Sequence, residues 1–403
     1  MDPLEERFAK LGVDNAPGQE VRQENETLEL RGEPLPGTPV DFSHGDVDAF
    51  EPIPGSLDEF VAGVHSGGAQ AYTEYRGKEA VRDDLARKIS AFTGTEISAD
   101  SQLIITPGTQ GALFLAMGSL IGHGDKVAIV EPDYFANRKI AQFLDADVVP
   151  VFMDHFAPET RAGIDLTRLE AVFRDGVKLF LFSNPNNPTG AIYSPAEISA
   201  IASLAKQYGV AVIADQLYSR QVFEKRTYVH LCAAAEQPEQ VITIMGPSKT
   251  ESLSGYRLGV AFGSEQIITR MEKLQAIVSL RAGGYSQAVL SSWFNEPDGW
   301  MEERITAHQR IRDDLLALLN QAEGMKARAT EAGSYLFVTI PELVVPIEHF
   351  VKILRIQANV TVTPGTEFGS RFTREFRINF SQDHTAAVDA MKRTINLIER
   401  YRR

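Results

Sequence analysis

Short apolar runs recur through the middle of the chain, and helical patterns separate them. A short β-type run lies at 103–106, and four further runs that are apolar on both faces of a strand lie at residues 126–130, 178–182, 210–214 and 241–245. Continuous apolar runs that alternate with helices are typical of a mainly parallel sheet covered on both sides. Right-handed crossovers place the carboxyl ends of parallel strands at one edge, where ligands bind. The pattern therefore predicts an α/β region with a site at that edge.

The pattern changes towards the carboxyl terminus. A long charged amphipathic helix is predicted at 297–323, followed by short strands at 335–340 and 375–380 and a terminal helix from Thr385. This α+β pattern predicts a smaller second domain.

The amino-terminal part of the chain has yet another character. Residues 1–40 are polar and interrupted by Pro and Gly, so we expect an arm with a short helix at Pro3–Leu11. The predicted organisation is an arm and part of the small domain at 1–49, a large domain at 50–290, and a small carboxyl-terminal domain at 291–403.

Composition narrows the classes of function. The 403 residues include 40 Lys and Arg against 54 Asp and Glu, a formal net charge of −14. This balance argues against non-specific binding to nucleic acid and against docking on an anionic membrane. The sequence has neither a signal-peptide core nor an apolar stretch long enough to cross a bilayer. The single cysteine, Cys232, fits a reducing compartment, so we expect a cytoplasmic protein without nucleic-acid or membrane partners.

Residues with chemical potential follow the apolar runs. The segment 183–190, SNPNNPTG, follows one run, and Asp215 follows another with Tyr218 three residues later. Lys249 lies beyond the run 241–245. Each has an ordinary explanation when taken alone, namely a polar turn, a helix cap or a solvated surface charge.

Taken together, these residues have a more specific chemistry. A desolvated lysine amine can attack a carbonyl group, and a carboxylate that ends a buried strand needs a cationic partner. The turn 108–110 opens a helix, whose free N–H groups favour an anion. With Ser248 and Arg257, this turn could form a phosphate cradle.

This set of residues, in this order, resembles the class I/II aminotransferases, which are fold type I pyridoxal-phosphate enzymes of the aspartate aminotransferase superfamily. The resemblance extends from about Val40 to Phe380, and its strongest motifs are NPNNPTG at 184–190, SKT at 248–250 and SGYRLG at 254–259. It implies a three-layer α/β/α large domain with a mainly parallel sheet, a smaller α+β domain, pyridoxal 5'-phosphate as the cofactor, and a homodimer with shared active sites.

The resemblance implies a role for each matched residue of the cofactor site. Lys249 would carry the internal aldimine and move the proton at the substrate Cα, while Asp215 would keep the pyridine nitrogen protonated. Tyr218 and Asn187 would bond to the phenolate oxygen, and Tyr134 would stack on the ring. The residues that would hold the phosphate are Gly108, Thr109, Gln110, Ser248 and Arg257.

The resemblance also implies a substrate site. Arg377 matches the arginine that binds the substrate α-carboxylate, where bidentate geometry favours Arg. Gly45 matches the glycine that lets this carboxylate approach the backbone, and His44 lies beside it. Asn187 would also face the substrate. Tyr72 matches the tyrosine that reaches the phosphate bound by the neighbouring subunit.

Several positions depart from the family pattern. Gln216 replaces a usual acidic residue, and Glu251 stands where an apolar or aromatic residue is common. His44 and Glu251 could face a polar or cationic substrate side chain, or make only local hydrogen bonds. Arg281 could bind an ω-carboxylate, although its spacing to Ser286 fits the dicarboxylate-specific subgroup poorly. The sequence therefore leaves the amino donor open.

Transamination between an amino acid and a 2-oxo acid is the predicted function. The alternative is another outcome on the same fold, namely a lyase, decarboxylase, cyclase or oxidase acting on an amino acid. A ligand-sensing regulator is less expected, because the segment before Val40 is too short for a helix-turn-helix domain and Lys249 is intact.

Overall fold

The computed structural model describes residues 2–12, 28–158 and 160–403, so residues 13–27 of the predicted arm lie outside the described residues. The strands are β1 Val40–Asp41, β2 Leu103–Pro107, β3 Lys126–Glu131, β4 Asp147–Phe152, β5 Leu179–Ser183, β6 Ala211–Asp215, β7 Val241–Met245, β8 Leu258–Gly263, β9 Lys326–Ala327, β10 Tyr335–Thr339, β11 Val360–Thr361, β12 Thr363–Pro364 and β13 Glu375–Asn379.

The α-helices are α1 Pro3–Leu11, α2 Ser56–His65, α3 Gly68–Ala71, α4 Glu79–Thr93, α5 Gly108–Leu120, α6 Phe135–Phe143, α7 Leu166–Arg174, α8 Pro195–Tyr208, α9 Glu265–Val278, α10 Gly284–Gln287, α11 Trp300–Gln321, α12 Ile347–Ala358 and α13 His384–Tyr401. Short 3₁₀ helices lie at Leu231–Ala233, Ser254–Tyr256, Ala288–Ser291 and Gly365–Phe368. None of the described helices is long and apolar enough to cross a membrane.

A seven-stranded sheet with the order β2-β8-β7-β6-β5-β3-β4 forms the centre of the large domain. Among its described strands, β8 alone runs in the direction opposite to the others, which confirms the mainly parallel sheet. Alternate residues of β3 enter different cores: Val127 packs with helices α5, α6 and α9, whereas Ala128 packs with α7 and α8. Helices therefore cover both faces, giving the predicted three-layer arrangement.

Two strands of this sheet, β4 and β8, are absent from the sequence prediction. β4 is an edge strand of mostly half-buried residues and contains Pro150, which is typical of edges and weakens the strand pattern. β8 has two glycines and follows directly on Arg257, so its apolar run is short. β8 lies between β2 and β7 and pairs antiparallel with both. Because of this direction, the first residues of β8 lie beside the end of β2, where α5 begins.

The smaller domain is built on a four-stranded antiparallel sheet with the order β12-β13-β10-β9. Helices α11, α12 and α13 cover this sheet, and Leu336 of β10 and Ile378 of β13 are fully buried in their common core. Val40 and Phe42, from the amino-terminal part of the chain, pack into the same core, and β1 pairs in parallel with β11. The boundaries at residues 49 and 290 stay a prediction.

The helix predicted at Pro3–Leu11 is present as α1. Asp2 caps its first turn, since the side chain accepts a hydrogen bond from the N–H of Leu4. The ring of Phe8 packs edge-on against Phe143 of α6 at a centroid distance of 6.2 Å. The arm helix therefore lies against the large domain.

A buried ionic network connects three segments around the loop that carries Lys249. Glu251 is 0% exposed, and its carboxylate lies 2.5 Å from Arg220 in the loop after β6. Arg220 also pairs with Glu296, and Thr250 donates its hydroxyl hydrogen bond to Glu251. Burial raises the pKa of Glu251, and the charge of Arg220 opposes that rise.

This network decides between the two interpretations of Glu251. The side chain makes local contacts and is absent from the lining of the cavity at the sheet edge, so the substrate-facing interpretation is wrong. On the far side of the loop, Arg304 of α11 contacts the Ser252 hydroxyl and the Glu51 carbonyl oxygen. The Glu251–Arg220 ion pair and the hydrogen bonds of Arg304 together hold this loop between the large domain and α11.

Replacing Glu251 by Ala should lower the free energy of unfolding by about 3 kcal/mol, because the buried Arg220 guanidinium then lacks one of its two carboxylate partners. Thermal and urea denaturation of the apoprotein would measure this loss. Glu303→Ala, at an exposed position of α11, is the control and should stay within roughly 0.5 kcal/mol of the wild type. Equal stability of the two variants would contradict the assigned role of the network.

Candidate active site

A cavity of about 460 Å³ lies at the carboxyl ends of the parallel strands, between the large domain and strands β10, β12 and β13. Most of the residues singled out in the sequence line it: His44, Thr109, Gln110, Tyr134, Asn187, Asp215, Tyr218, Ser248, Lys249, Arg257 and Arg377. The structure therefore brings together side chains that are up to 333 positions apart, from His44 to Arg377 (377 − 44).

One end of the cavity has the chemistry of an anion site. Gly108 begins α5 with φ of +78°, and a Cβ there would lie 2.6 Å from the Arg257 Nη2 atom. Glycine therefore lets the guanidinium approach the helix amino terminus closely. A Cβ at Gly259 would lie 2.4 Å from the Thr109 backbone nitrogen. Free N–H groups, a guanidinium and the Ser248 hydroxyl meet at this end, which favours a phosphate group.

The same cavity is also lined by a carboxylate and an amine. Asp215 ends β6 opposite Ser183 of β5, and its carboxylate accepts a hydrogen bond from the N–H of Leu217 at 3.1 Å. Burial raises the pKa of Asp215 to about 6. Lys249 follows β7 and is half-buried at the same cavity. Within the described ranges, neither side chain forms an ion pair.

Asp133 organises the polar loop after β5, and the sequence pattern did not single it out. Its buried carboxylate accepts hydrogen bonds from the Ser183 N–H at 2.9 Å, the Ser183 hydroxyl at 2.6 Å and the Asn137 amide at 3.1 Å. Burial raises the pKa of Asp133 to about 7, although the hydrogen bonds from Ser183 and from the Tyr134 N–H oppose the rise. The Ser183 hydroxyl in turn accepts from the N–H of Asn187, so Asp133 indirectly fixes Asn187 at the cavity.

Arg377 of β13 is 4% exposed and reaches the cavity from the small domain. Its guanidinium donates to the Asn187 side-chain oxygen at 3.0 Å, the Ser43 carbonyl at 2.9 Å and the Thr363 hydroxyl at 3.3 Å. Its Nε is buried with no hydrogen-bond partner among the described residues, and none of their carboxylates pairs with it. A buried cation in this state fits a carboxylate supplied by a ligand.

Tyr335 is a second residue of the site that the sequence did not reveal. Its hydroxyl accepts a hydrogen bond from the Tyr218 hydroxyl at 2.6 Å, and the Arg377 guanidinium lies 4.3 Å from its ring centre. Burial raises the pKa of Tyr218. Burial also acts to raise the pKa of Tyr335, but the charges of Arg377 and Lys249 outweigh it and lower that pKa. Tyr335 lies in the apolar run of β10, so the sequence pattern makes it look like a core residue. Its hydroxyl group is the only sequence feature that could have indicated a role in the site.

Smaller contacts position the remaining lining residues. The Tyr134 hydroxyl donates to the Gln110 side-chain oxygen at 3.1 Å, and burial raises the pKa of Tyr134 to about 12. The His44 ring lies 3.0 Å from the Gly45 carbonyl oxygen. A Cβ at Gly45 would lie 3.3 Å from the Ser381 Oγ atom, so the backbone approaches closely there.

Two residues lie away from this cavity in the single chain. Tyr72 is 83% exposed on the surface of the large domain. The Arg281 guanidinium lies 5.5 Å from the Tyr72 ring centre and donates to the Thr73 carbonyl oxygen at 2.5 Å. Both side chains therefore share one surface rather than the site of their own chain.

Comparisons with known proteins agree on one protein family. A family model described as aminotransferase class I and II matches residues 49–391. A crystal structure of an aspartate aminotransferase from Rhodobacter sphaeroides 2.4.1 superposes with a TM-score of 0.94 at 60% identity, covering 99% of this chain and 100% of that chain. The aspartate aminotransferase of Musicola paradisiaca is 28% identical over 363 residues, covering 88% of this chain and 89% of the relative.

A more distant structure shares the fold alone. N-Succinyldiaminopimelate aminotransferase from Mycobacterium tuberculosis has a TM-score of 0.81 at 22% identity, covering 89% of this chain and 93% of that chain. The family model and the Rhodobacter sphaeroides and Musicola paradisiaca relatives are all described as aminotransferases, which favours transamination over the lyase, decarboxylase, cyclase and oxidase alternatives. The chain thus belongs to the aminotransferase class I and II family, whose members move an amino group between an amino acid and a 2-oxo acid.

Proposed function

We propose that this cavity is the site of a pyridoxal-phosphate-dependent transamination. In this reaction Arg377 binds the substrate α-carboxylate, and Lys249 moves the proton at the reacting carbon. One observation carries the proposal: a buried guanidinium without a described carboxylate partner lines the same cavity as a primary amine. An amino acid and a 2-oxo acid both present a carboxylate next to the carbon that reacts, so one site can accept either.

The donor set of the cavity fits pyridoxal 5'-phosphate. The start of α5, together with Arg257 and Ser248, could bind the phosphate group. The Lys249 amine could react with the aldehyde carbon. Asp215 offers an ionisable carboxylate without a described cation, which suits the ring nitrogen. When bound, the cofactor supplies a protonated aromatic ring that withdraws electrons from the substrate Cα.

The protein groups would then have distinct roles. The Arg377 guanidinium orients the substrate by two parallel hydrogen bonds to its carboxylate. The Lys249 Nζ takes the proton from the substrate Cα as a general base and returns a proton as a general acid. Asp215 would stay ionised beside the ring nitrogen. Asn187 and Tyr218 would form hydrogen bonds with the phenolic oxygen, and the Tyr134 ring would stack on the cofactor.

Aspartate is the donor that we propose for this site. The Rhodobacter sphaeroides relative, at 60% identity, and the Musicola paradisiaca relative are both named as aspartate aminotransferases. A dicarboxylate needs a second cation, but the described Lys and Arg side chains that line the cavity are Lys249, Arg257 and Arg377, each with another assignment. Arg281 of a second subunit, which lies beside Tyr72, would supply the missing charge.

A homodimer with shared sites is part of this proposal. Apolar side chains are exposed in the segment just before Arg281, whose side chain lies beside Tyr72, and exposed apolar surface is typical of interfaces. They include Ile277 at 82% exposed, Val278 and Leu280. In the dimer, Tyr72 of each subunit would reach the phosphate end of the other. Cytoplasmic location is also proposed, with Cys232 buried and free as in a reducing compartment.

The direct test is the half-reaction with aspartate. Aspartate should convert the bound cofactor from its aldehyde to its amine form, seen as a change in absorbance, with stoichiometric release of the 2-oxo acid. Lys249→Ala should lose both this conversion and the covalent cofactor that borohydride traps in the wild type, as intact-mass measurement would show. Release of ammonia, CO₂ or peroxide without the conversion would overturn the proposal and favour another reaction.

Binding of the cofactor should depend on the ionisation of Asp215. Because the pKa of Asp215 is raised to about 6, the carboxylate is ionised above this pH and neutral below it. Fluorescence titration of the apoprotein should show affinity falling by roughly tenfold per pH unit below 6. Asp215→Asn, in which the phosphate of the cofactor still titrates, is the matched control. The two proteins should differ at pH 7 and converge at pH 5, whereas parallel profiles would exclude this role.

Shared sites predict complementation between two impaired variants. Lys249→Ala removes the amine of its own site, and Tyr72→Ala weakens the site of the partner. A mixed dimer would contain one site with both residues intact. Refolding the two variants together should therefore recover about a quarter of wild-type activity, because roughly half of the dimers are mixed and each holds one intact site. No gain over the separate variants would exclude sharing through Tyr72.

A further inference from the structure

A second cavity borders the loop that follows β6, and we call it the α11 groove. Its volume is about 830 Å³, and it shares no lining residue with the cavity at the sheet edge. Residues at the end of α4, residues of the segment 219–230, and the start of α11 with the turn before it form its walls. Its size is within the range of pockets that hold small molecules. Neither the cofactor nor the substrate proposed above accounts for it.

Two buried polar atoms belong to residues that line the α11 groove. Ser219 is 4% exposed, and its Oγ atom has no hydrogen-bond partner among the described residues. The Glu296 side chain is 16% exposed, and one of its carboxylate oxygens pairs with Arg220. The other oxygen, Oε2, is buried with no partner in the described part of the chain. Because buried polar atoms are costly unless they are hydrogen-bonded, a ligand that donates hydrogen bonds would stabilise both.

The α11 groove carries more negative than positive charge. Three carboxylates line it, from Glu296, Asp298 and Glu302. Two guanidinium groups also line it, from Arg220 and Arg226, and each pairs with a carboxylate outside the groove. The free N–H groups at the start of α11 would favour an anion, but two acidic side chains in its first turn oppose this. The balance of charge therefore favours a cation.

Aromatic rings form another part of the lining. Phe92 and Tyr228 are half-buried there, and each meets the His230 ring edge-on, at centroid distances of 4.9 and 4.8 Å. Burial lowers the pKa of His230 to about 4, so this ring is neutral at neutral pH and adds no positive charge. Aromatic faces attract cations and also accommodate the apolar part of an organic ligand.

We propose that the α11 groove is a binding site for a small organic cation that carries a guanidinium group. The guanidinium donates hydrogen bonds to the Glu296 Oε2 and Ser219 Oγ atoms, and the apolar part of the ligand lies against Phe92 and Tyr228. A guanidinium suits two acceptors better than an ammonium does, because its planar fork holds several donors in fixed directions. This inference goes beyond the proposed function and does not depend on it, since the two cavities have different walls.

The test is isothermal titration calorimetry of the purified protein with butylguanidinium. This probe has no carboxylate for Arg377 and no primary amine, and butylurea has nearly the same shape without the charge. Butylguanidinium should bind saturably, at one site per chain, with a Kd of about 1 mM. Butylurea should bind at least about tenfold more weakly, because a charge-assisted hydrogen bond is lost.

Variants of the chain locate the bound probe. Glu296→Gln should weaken binding about tenfold, and Ser219→Ala about threefold. Glu303→Gln is the matched control, because it makes the same change of charge at an exposed residue of α11 that does not line the groove. Asp215→Asn removes the carboxylate that lines the sheet-edge cavity. Both of these variants should bind the probe as the wild type does.

The Ser219 variant loses only a hydroxyl group, so it carries the test if Glu296→Gln does not fold. Equal affinity for butylguanidinium and butylurea, or the absence of saturable binding, would overturn the inference. Equal losses in Glu296→Gln and Glu303→Gln, unchanged affinity in Ser219→Ala, or loss of binding in Asp215→Asn would overturn it as well. None of these measurements involves transamination, so a failed half-reaction with aspartate would leave the inference intact.

Discussion

A buried guanidinium without a carboxylate from the described part of its own chain is the constraint on which the site depends. Arg377 must be kept in place while its charge stays available, because a buried charge is costly unless polar groups surround it. The chain meets this need with uncharged partners: the Asn187 side chain, the Ser43 carbonyl and the Thr363 hydroxyl. These partners come from the large domain, the amino-terminal part and the small domain. The same side chain therefore joins three parts of the molecule and reserves its charge for a ligand.

The geometry of the sheet determines where the other functional groups of the cavity lie. Parallel strands deliver Asp215, Lys249 and the loop containing Asn187 to one edge, and the reversed strand β8 brings Arg257 back to the start of α5. Charges of both signs thus face one cavity without neutralising one another. Such an arrangement is costly in the free protein, and polar loops such as the one held by Asp133 keep it in place.

Much of this organisation can be predicted from the sequence, because chemically active residues directly follow apolar runs. Lys249, Asp215 and Asn187 stand out in this way, and the fold class follows from the same runs. Tyr335 escapes notice because its position within an apolar strand makes it look like a core residue. The role of Glu251 depends on Arg220, which is 31 positions earlier in the chain, so spacing gives no guide. The proposed role of Tyr72 involves a second subunit, so the contacts within one chain do not reveal it.

The close approach of Arg257 to the start of α5 has a consequence for how the protein folds. Two sources of positive potential, a guanidinium and a helix amino terminus, face the same space. They repel each other until an anion lies between them, so a phosphate bound there would stabilise the native state as well as anchor the ligand that carries it. A ligand that binds only the native state stabilises it in proportion to the logarithm of its concentration. The free energy of unfolding would then rise with the concentration of a ligand that carries a phosphate group.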